Sequence, residues 1–223
     1  MSNAKSERTI AAIIFAASAS AAVTAVFSSA IGHVRYLPLR IPYILLIQAL
    51  LVPIALIANG PIEKQPFAAL GYRWGNIKKQ LLWAAALLAI LSAMFIGLPL
   101  LFGARDIFPA RDSLWFAVPD KLVFVGFAEE TMFRGYMLNA FNRLTGSKIA
   151  AVALSSLLFG FWHFIGSGDL LQVAMTAVIG LIIAIPCAYA RNCSTLSAAL
   201  AHGAYGAFLS VLTNLDLSIV FPG

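Results

Sequence analysis

Apolar residues run through this chain in long, almost uninterrupted stretches. They can be read at about 10–32, 41–59, 81–104, 114–141, 149–166, 170–190 and 194–213. At about 1.5 Å of rise per helical residue, roughly twenty residues cross a hydrocarbon layer of about 30 Å. The pattern predicts an all-α, polytopic transmembrane helical bundle of about seven spans, eight if one stretch divides. The first stretch, Ala/Ser-rich after Lys5 and Arg8, is longer than the apolar core of a secretory leader and reads as a span. Residues 61–80 differ, mixing Pro61, Lys64, Arg73, Trp74, Lys78 and Lys79 with apolar positions. They read as a loop with a short interfacial helix. With no internal repeat or second domain, residues 1–223 form one integral membrane domain.

Composition narrows the class. Hydrophobic residues make up 61% and charged residues 11%, less than half the charge of an ordinary globular chain. A soluble enzyme, a disordered linker and a secreted disulfide scaffold are excluded. The net charge of +6 comes without a basic run or aromatic-basic stripe, so the expected partner is the lipid bilayer and not nucleic acid. Cys187 and Cys193 have neither a zinc-binding spacing nor a disulfide framework. With seven spans, Lys5, Arg8, Lys64, Arg73, Lys78, Lys79, Arg143, Lys148 and Arg191 share one side, against Arg35, Arg40, Arg105 and Arg111 on the other. This asymmetry predicts a cytoplasmic N-terminus. Nothing in the sequence indicates an oligomeric state.

Glu129 and Glu130, within Phe127-Ala-Glu-Glu-Thr-Met-Phe-Arg-Gly-Tyr136, fall inside the fourth stretch. The other carboxylates (Glu7, Glu63, Asp106, Asp112, Asp120, Asp169 and Asp216) fall in tails, loops or span ends. On a helix from Pro119 to about Arg143, Glu129 lies about 21 Å from the Arg143 end. Ionisable groups at such depth are costly and mark sites, relays or ion paths. Arg134 follows Glu130 by four residues and can compensate it on the same helical face. Glu129, rotated about 100° away, needs a partner from elsewhere.

Two of the three histidines also fall inside spans, and His33 lies in a loop. His163 is about 22 Å into its span from Lys148, and His202 about 16 Å from Arg191. Three different spans thus carry carboxylate or imidazole at comparable depth. A carboxylate in low dielectric can serve as general base near neutral pH. Imidazoles can ligate a metal, share a water or donate to an oxyanion. Together they suit water activation and amide hydrolysis. No serine is singled out for a triad, and both a His-Glu-x-x-His zinc signature and a Gly-rich phosphate loop are absent.

At these residues the chain resembles the CAAX protease and bacteriocin-processing (CPBP, or Abi) intramembrane proteases. Glu129-Glu130-Thr-Met-Phe-Arg134, followed by Gly135-Tyr136, is similar to the family's first motif. Phe159-Gly-Phe-Trp-His163 is similar to its second, and His202 to the start of its third, where Gly206 stands in place of the usual Asn. The resemblance implies a catalytic core over about 113–210 in an integral protein of a bacterial cell membrane. It implies an endopeptidase acting on a membrane-associated peptide or protein. Glu129 would activate water, His163 would share that water, and His202 would polarise the scissile carbonyl. Glu130 and Arg134 would form a supporting pair, with Phe159 packing beside them. Glu129, His163 and His202 could instead hold Zn²⁺, since the family is often described as metalloproteases, and metal-free activation uses the same residues. Two other expectations compete: a non-catalytic relative, serving bacteriocin self-immunity or as a scaffold, and a proton-coupled transporter using the Glu/His cluster.

Overall fold

The computed structural model describes residues 3–98 and 113–214, with seven helices among them. They are α1 (Asn3–His33), α2 (Leu37–Ile62), α3 (Ile77–Gly97), α4 (residues 114–145), α5 (Lys148–Ser167), α6 (Leu170–Tyr189) and α7 (Thr195–Asn214). All except α4 are long and apolar enough to cross a membrane. Ile14, Leu82, Leu157, Phe161 and Ile185 are among many large apolar side chains on the outer surface. Such a coat suits lipid and would be a liability in water. The polytopic helical bundle expected from the apolar pattern is what the chain forms. The end of the expected third span, Arg105, Asp106, Arg111, Asp112, Asp216 and the Pro222-Gly223 tail lie outside the described residues.

Local chemistry sets the corners. Gly146 (φ 68°) ends α4 in the left-handed conformation, and the Ser147 hydroxyl caps α5 by accepting from the Ala150 amide. The next corner repeats the device, with Gly168 (φ 67°) ending α5 and the Asp169 carboxylate capping α6 through the Leu171 amide. Left-handed closure followed at once by a side-chain cap reverses direction within two residues. The segment expected to hold an interfacial helix contains only a single 3₁₀ turn, Phe67–Leu70. Pro61 and Pro66 precede it, and Lys64, Gly71 and Asn76 adopt positive φ, so a continuous helix cannot form there. Instead the segment tucks inward. Tyr72 stacks between Phe67 and Trp74, and the Leu70 carbonyl accepts from the Thr195 hydroxyl at 2.7 Å.

Helix α4 runs through the middle of the bundle, buried on every side from residue 128 to 138. It packs on α2, on the loop after α2, and on α5 and α7, while α3 packs on α7 and α1 covers α2 and α5. Backbones approach closely where side chains vanish. A Cβ on Gly126 would stand 2.5 Å from the Ala199 carbonyl oxygen and 2.8 Å from the Gly203 Cα. Small residues at such crossings let membrane helices gain dispersion contacts that lipid cannot supply. Two carboxylates placed by sequence at a loop or span end prove buried, Glu63 and Asp120. Glu63 accepts from Arg143 through both oxygens, at 2.7 and 2.8 Å, and from the Thr9 hydroxyl at 2.9 Å. That one group ties the end of α2 to the start of α1 and the end of α4. The Cys187 and Cys193 thiols are free and lie 3.7 Å apart at the α6–α7 turn.

Gly126→Ala is expected to destabilise the bundle by about 1–3 kcal/mol, since backbone must move to admit the methyl. Gly32→Ala, with nothing within 4 Å of its new Cβ, should be neutral or slightly stabilising. Thermal unfolding of both variants in the same detergent checks the contrast.

Candidate active site

The stretch around the two carboxylates departs from ordinary α-helix. One α-helical turn, Gly126–Glu130, sits between π-helical segments Asp120–Val125 and Thr131–Met137. Widened turns of this kind recur at functional sites because they re-aim side chains within a helix. Gly135 lies in the second, where a Cβ would meet the Leu70 carbonyl oxygen at 3.1 Å. The glycine therefore lets the loop after α2 settle directly on α4. Thr131, on the same segment, donates to the Phe127 carbonyl at 2.6 Å, so the Tyr72 phenol 2.6 Å away must be the donor to Thr131. Burial pushes the Tyr72 phenol above its ordinary value, against the Thr131 contact, which lowers it, and with a further rise from the Glu130 charge. It stays a neutral donor throughout the physiological range.

Glu130 is fully buried. Its Oε1 accepts from Arg134 Nη1 at 2.8 Å and lies 2.7 Å from His202 Nδ1 on α7. An ionised carboxylate can only accept, so His202 carries a proton on Nδ1. The pairing of Glu130 with Arg134 across one turn follows from their spacing. His202 as a second partner of Glu130 did not, because chain position alone does not say which carboxylate a ring on another helix will meet.

Glu129, also buried, faces the other way. Its Oε1 accepts from Gln48 Nε2 at 3.1 Å. Its Oε2 has no hydrogen-bond partner in the protein and lies 3.9 Å from His163 Nε2. His163 Nδ1 sits 2.9 Å from the Phe159 carbonyl, which can only accept. That contact fixes the proton on Nδ1 and leaves the Nε2 lone pair toward Glu129. Gln48 is the partner that the sequence reading did not find. Its signal was present: it is the lone amide among the apolar residues of Leu37–Ile57.

Phe159 packs all of this together. Its ring lies under the Arg134 guanidinium, 4.3 Å from centroid to Cζ. It meets the His163 and His202 rings edge-on at 4.6 and 5.9 Å. Phe133 and Trp162 close the aromatic wall. Glu129, Glu130, Arg134, Phe159, His163 and His202 thus form one cluster, with each imidazole assigned to a different carboxylate. Gly206 faces the aliphatic stem of Lys121, whose Cβ stands 3.2 Å from where a side chain would begin.

The cluster does not close as a zinc site. Among the described residues no three His, Cys, Asp or Glu side chains converge as a ligand set. Glu129 and His163 face one another, whereas His202 is turned to Glu130. Catalytic zinc calls for three protein ligands and an open position, so these residues as placed do not fit it.

A polytopic helical membrane protein with two buried, adjacent acids and two imidazoles gathered among α4, α5 and α7 is the class that fold and site define. Residues 111–208 match the family described as Rce1-like, Type II CAAX prenyl endopeptidase Rce1-like, and the chain carries a domain of that family. The match agrees with the CPBP resemblance of the three motifs. No curated protein and no solved structure matches the chain.

Arg134→Met is expected to destabilise the protein by about 3–5 kcal/mol, because it strands a buried carboxylate. Arg134→Lys should recover only part of this, since a point charge cannot reproduce the planar guanidinium over Phe159. Chemical or thermal unfolding of the two variants reads the difference.

Proposed function

We propose that the protein is an intramembrane endopeptidase of the CAAX-protease type, hydrolysing a peptide bond in a membrane-associated peptide or protein. The observation that carries this reading is the Glu129 Oε2–His163 Nε2 pair. At 3.9 Å it is too long for a direct hydrogen bond and suited to a bridging water. Both atoms are acceptors in the tautomer described, so a water between them donates to each and turns its oxygen lone pairs outward. Glu129 takes a proton as that oxygen attacks the scissile carbonyl, then returns it to the leaving amine. Gln48 occupies the other Glu129 oxygen, so only Oε2 serves as base.

His202, held by Glu130, stabilises the oxyanion once its Nε2 is protonated, the resulting imidazolium lying against the Glu130 carboxylate. Preorganised donors of this sort act strongly where water is scarce. No step passes through a metal. The family's description as a CAAX prenyl endopeptidase suggests prenylated substrates, and the apolar outer surface favours a substrate that arrives through the lipid. The distribution of Lys and Arg supports a cytoplasmic N-terminus, and the CPBP resemblance suggests a bacterial cell membrane.

Purified full-length protein in proteoliposomes, offered membrane peptides with and without a prenyl group, tests the proposal. Glu129→Gln and His163→Ala should each lower cleavage by about a hundredfold or more while the protein stays folded. Gln48→Leu should lower kcat without abolishing it, and a chelator should leave the rate unchanged. Wild-type rates in both Glu129→Gln and His163→Ala would sink the mechanism. A folded wild type that cleaves nothing would instead point to a non-catalytic relative.

A further inference from the structure

The corner between α6 and α7 is built differently from the two before it. Helix α6 ends without a left-handed residue: Ala190 leaves it in extended conformation (φ −90°, ψ 128°), and the Arg191–Asn192 turn folds the chain back. The Cys193 amide donates to the Ala190 carbonyl at 3.3 Å and closes that turn. Cys187 and Cys193, six positions apart in the chain, are thereby brought together with their sulfurs 3.7 Å apart. Both thiols are free.

Packing of small residues explains part of this. Cys193 is buried with Ala84, Leu87 and Ala201, and Cys187 packs against the same group. Packing does not require that sulfur meet sulfur, nor does it explain the polar surroundings. The Cys187 hydrogen bond lowers the Cys193 thiol below its ordinary value; burial opposes this, and the Ser197 hydroxyl and the Arg73 charge reinforce it. A thiol acidified in this way is a readier nucleophile than an inert structural cysteine. Cys187 is only half-buried, and both cysteines, with Arg73 and Lys148, line a partly open cavity of about 210 Å³. A water takes up about 30 Å³ of liquid volume, so a molecule as small as hydrogen peroxide fits such a space.

We propose that Cys187 and Cys193 are a peroxide-sensitive pair that closes reversibly into a disulfide, tying the end of α6 to the turn that enters α7. Hydrogen peroxide meets Cys187, the more accessible thiol. The Cys187 sulfur bonds to one peroxide oxygen, the O–O bond breaks, and the other oxygen leaves as water with the thiol proton, giving a sulfenic acid. The Cys193 sulfur then attacks the Cys187 sulfur and expels the hydroxyl, which departs as water with the Cys193 proton. Two thiols are oxidised by two electrons and one peroxide is reduced to two waters. The sulfurs must approach by less than about 2 Å to bond, within reach of a surface turn. The bond forms where α7, the helix that carries His202, is anchored to the loop after α2 through Thr195. The Lys and Arg distribution supports placing this corner, with Arg191, on the cytoplasmic side, where thiols are kept reduced. The pair is thus open by default and closes on oxidation.

The test uses the full chain in phosphatidylcholine nanodiscs, reduced and then freed of reductant. It is exposed to hydrogen peroxide, denatured, labelled with a maleimide and mapped by peptide mass spectrometry. The chain has only these two cysteines, so a disulfide within one chain must be this pair. The expected result is loss of both maleimide sites, a linked peptide lighter by two hydrogens, and recovery of both sites with dithiothreitol. In Cys193→Ser, Cys187 has no partner and should stop as a sulfenic acid that dimedone captures, a species the wild type should not accumulate. If that variant does not fold, the wild-type result decides alone. Retention of both maleimide sites in the wild type, a disulfide between two chains, or oxidation to sulfinic acid without a linked peptide would each overturn the proposal. None of these readings involves cleavage, so failure here and failure of the peptidase reading remain distinguishable.

Discussion

Two adjacent carboxylates on a helix buried on all sides impose the constraint around which the rest of the bundle is organised. Left alone in an apolar interior, each would cost several kcal/mol. They cannot share one solution, because neighbours on a helix point about 100° apart. Glu130 is met by Arg134 from its own helix and by His202 from α7. Glu129 is met on one oxygen by Gln48 of α2 and faces His163 of α5 with the other. Four helices are thereby drawn to one level of the bundle by polar demands that lipid cannot satisfy.

The two halves of this arrangement differ in kind. Around Glu130 two donors, Arg134 and His202, converge on Oε1 and fix the carboxylate by charge and geometry, with Phe159 bracing the guanidinium from below, while Oε2 has no hydrogen-bond partner in the protein. Around Glu129 the arrangement is deliberately incomplete, since one oxygen is held and the other is left with an imidazole just out of reach. Each acid keeps one unmet oxygen, and what sets Glu129 apart is the His163 ring nitrogen that faces its own at 3.9 Å, which leaves this acid chemically poised.

Much of this was legible from residue order. The helical bundle followed from apolar run length, and the Glu130–Arg134 pair from a four-residue spacing. The gathering of Glu129, His163 and His202 followed from similar depths on three spans. What was illegible depended on rotation and on long-range approach. Depth does not say which carboxylate a ring will face, so His202 could not be assigned to Glu130. The burial of Glu63 depends on Arg143, eighty positions away in the chain, and on Thr9. The π-helical turns of α4 leave no plain mark in periodicity, and Gln48 carried only the weak signal of a solitary amide.

The Gln48 contact also bears on how the molecule comes into being. Synthesis is directional, so α2 and its amide enter the membrane before α4 brings in the acids. Glu130 arrives just ahead of its own arginine, His163 follows one helix later, and His202 comes last of all. From the first appearance of the acids, a nascent intermediate has a neutral or cationic companion at hand for each of them. The cluster reaches its final composition only when α7 docks, which delays any chemistry it performs until that helix is in place.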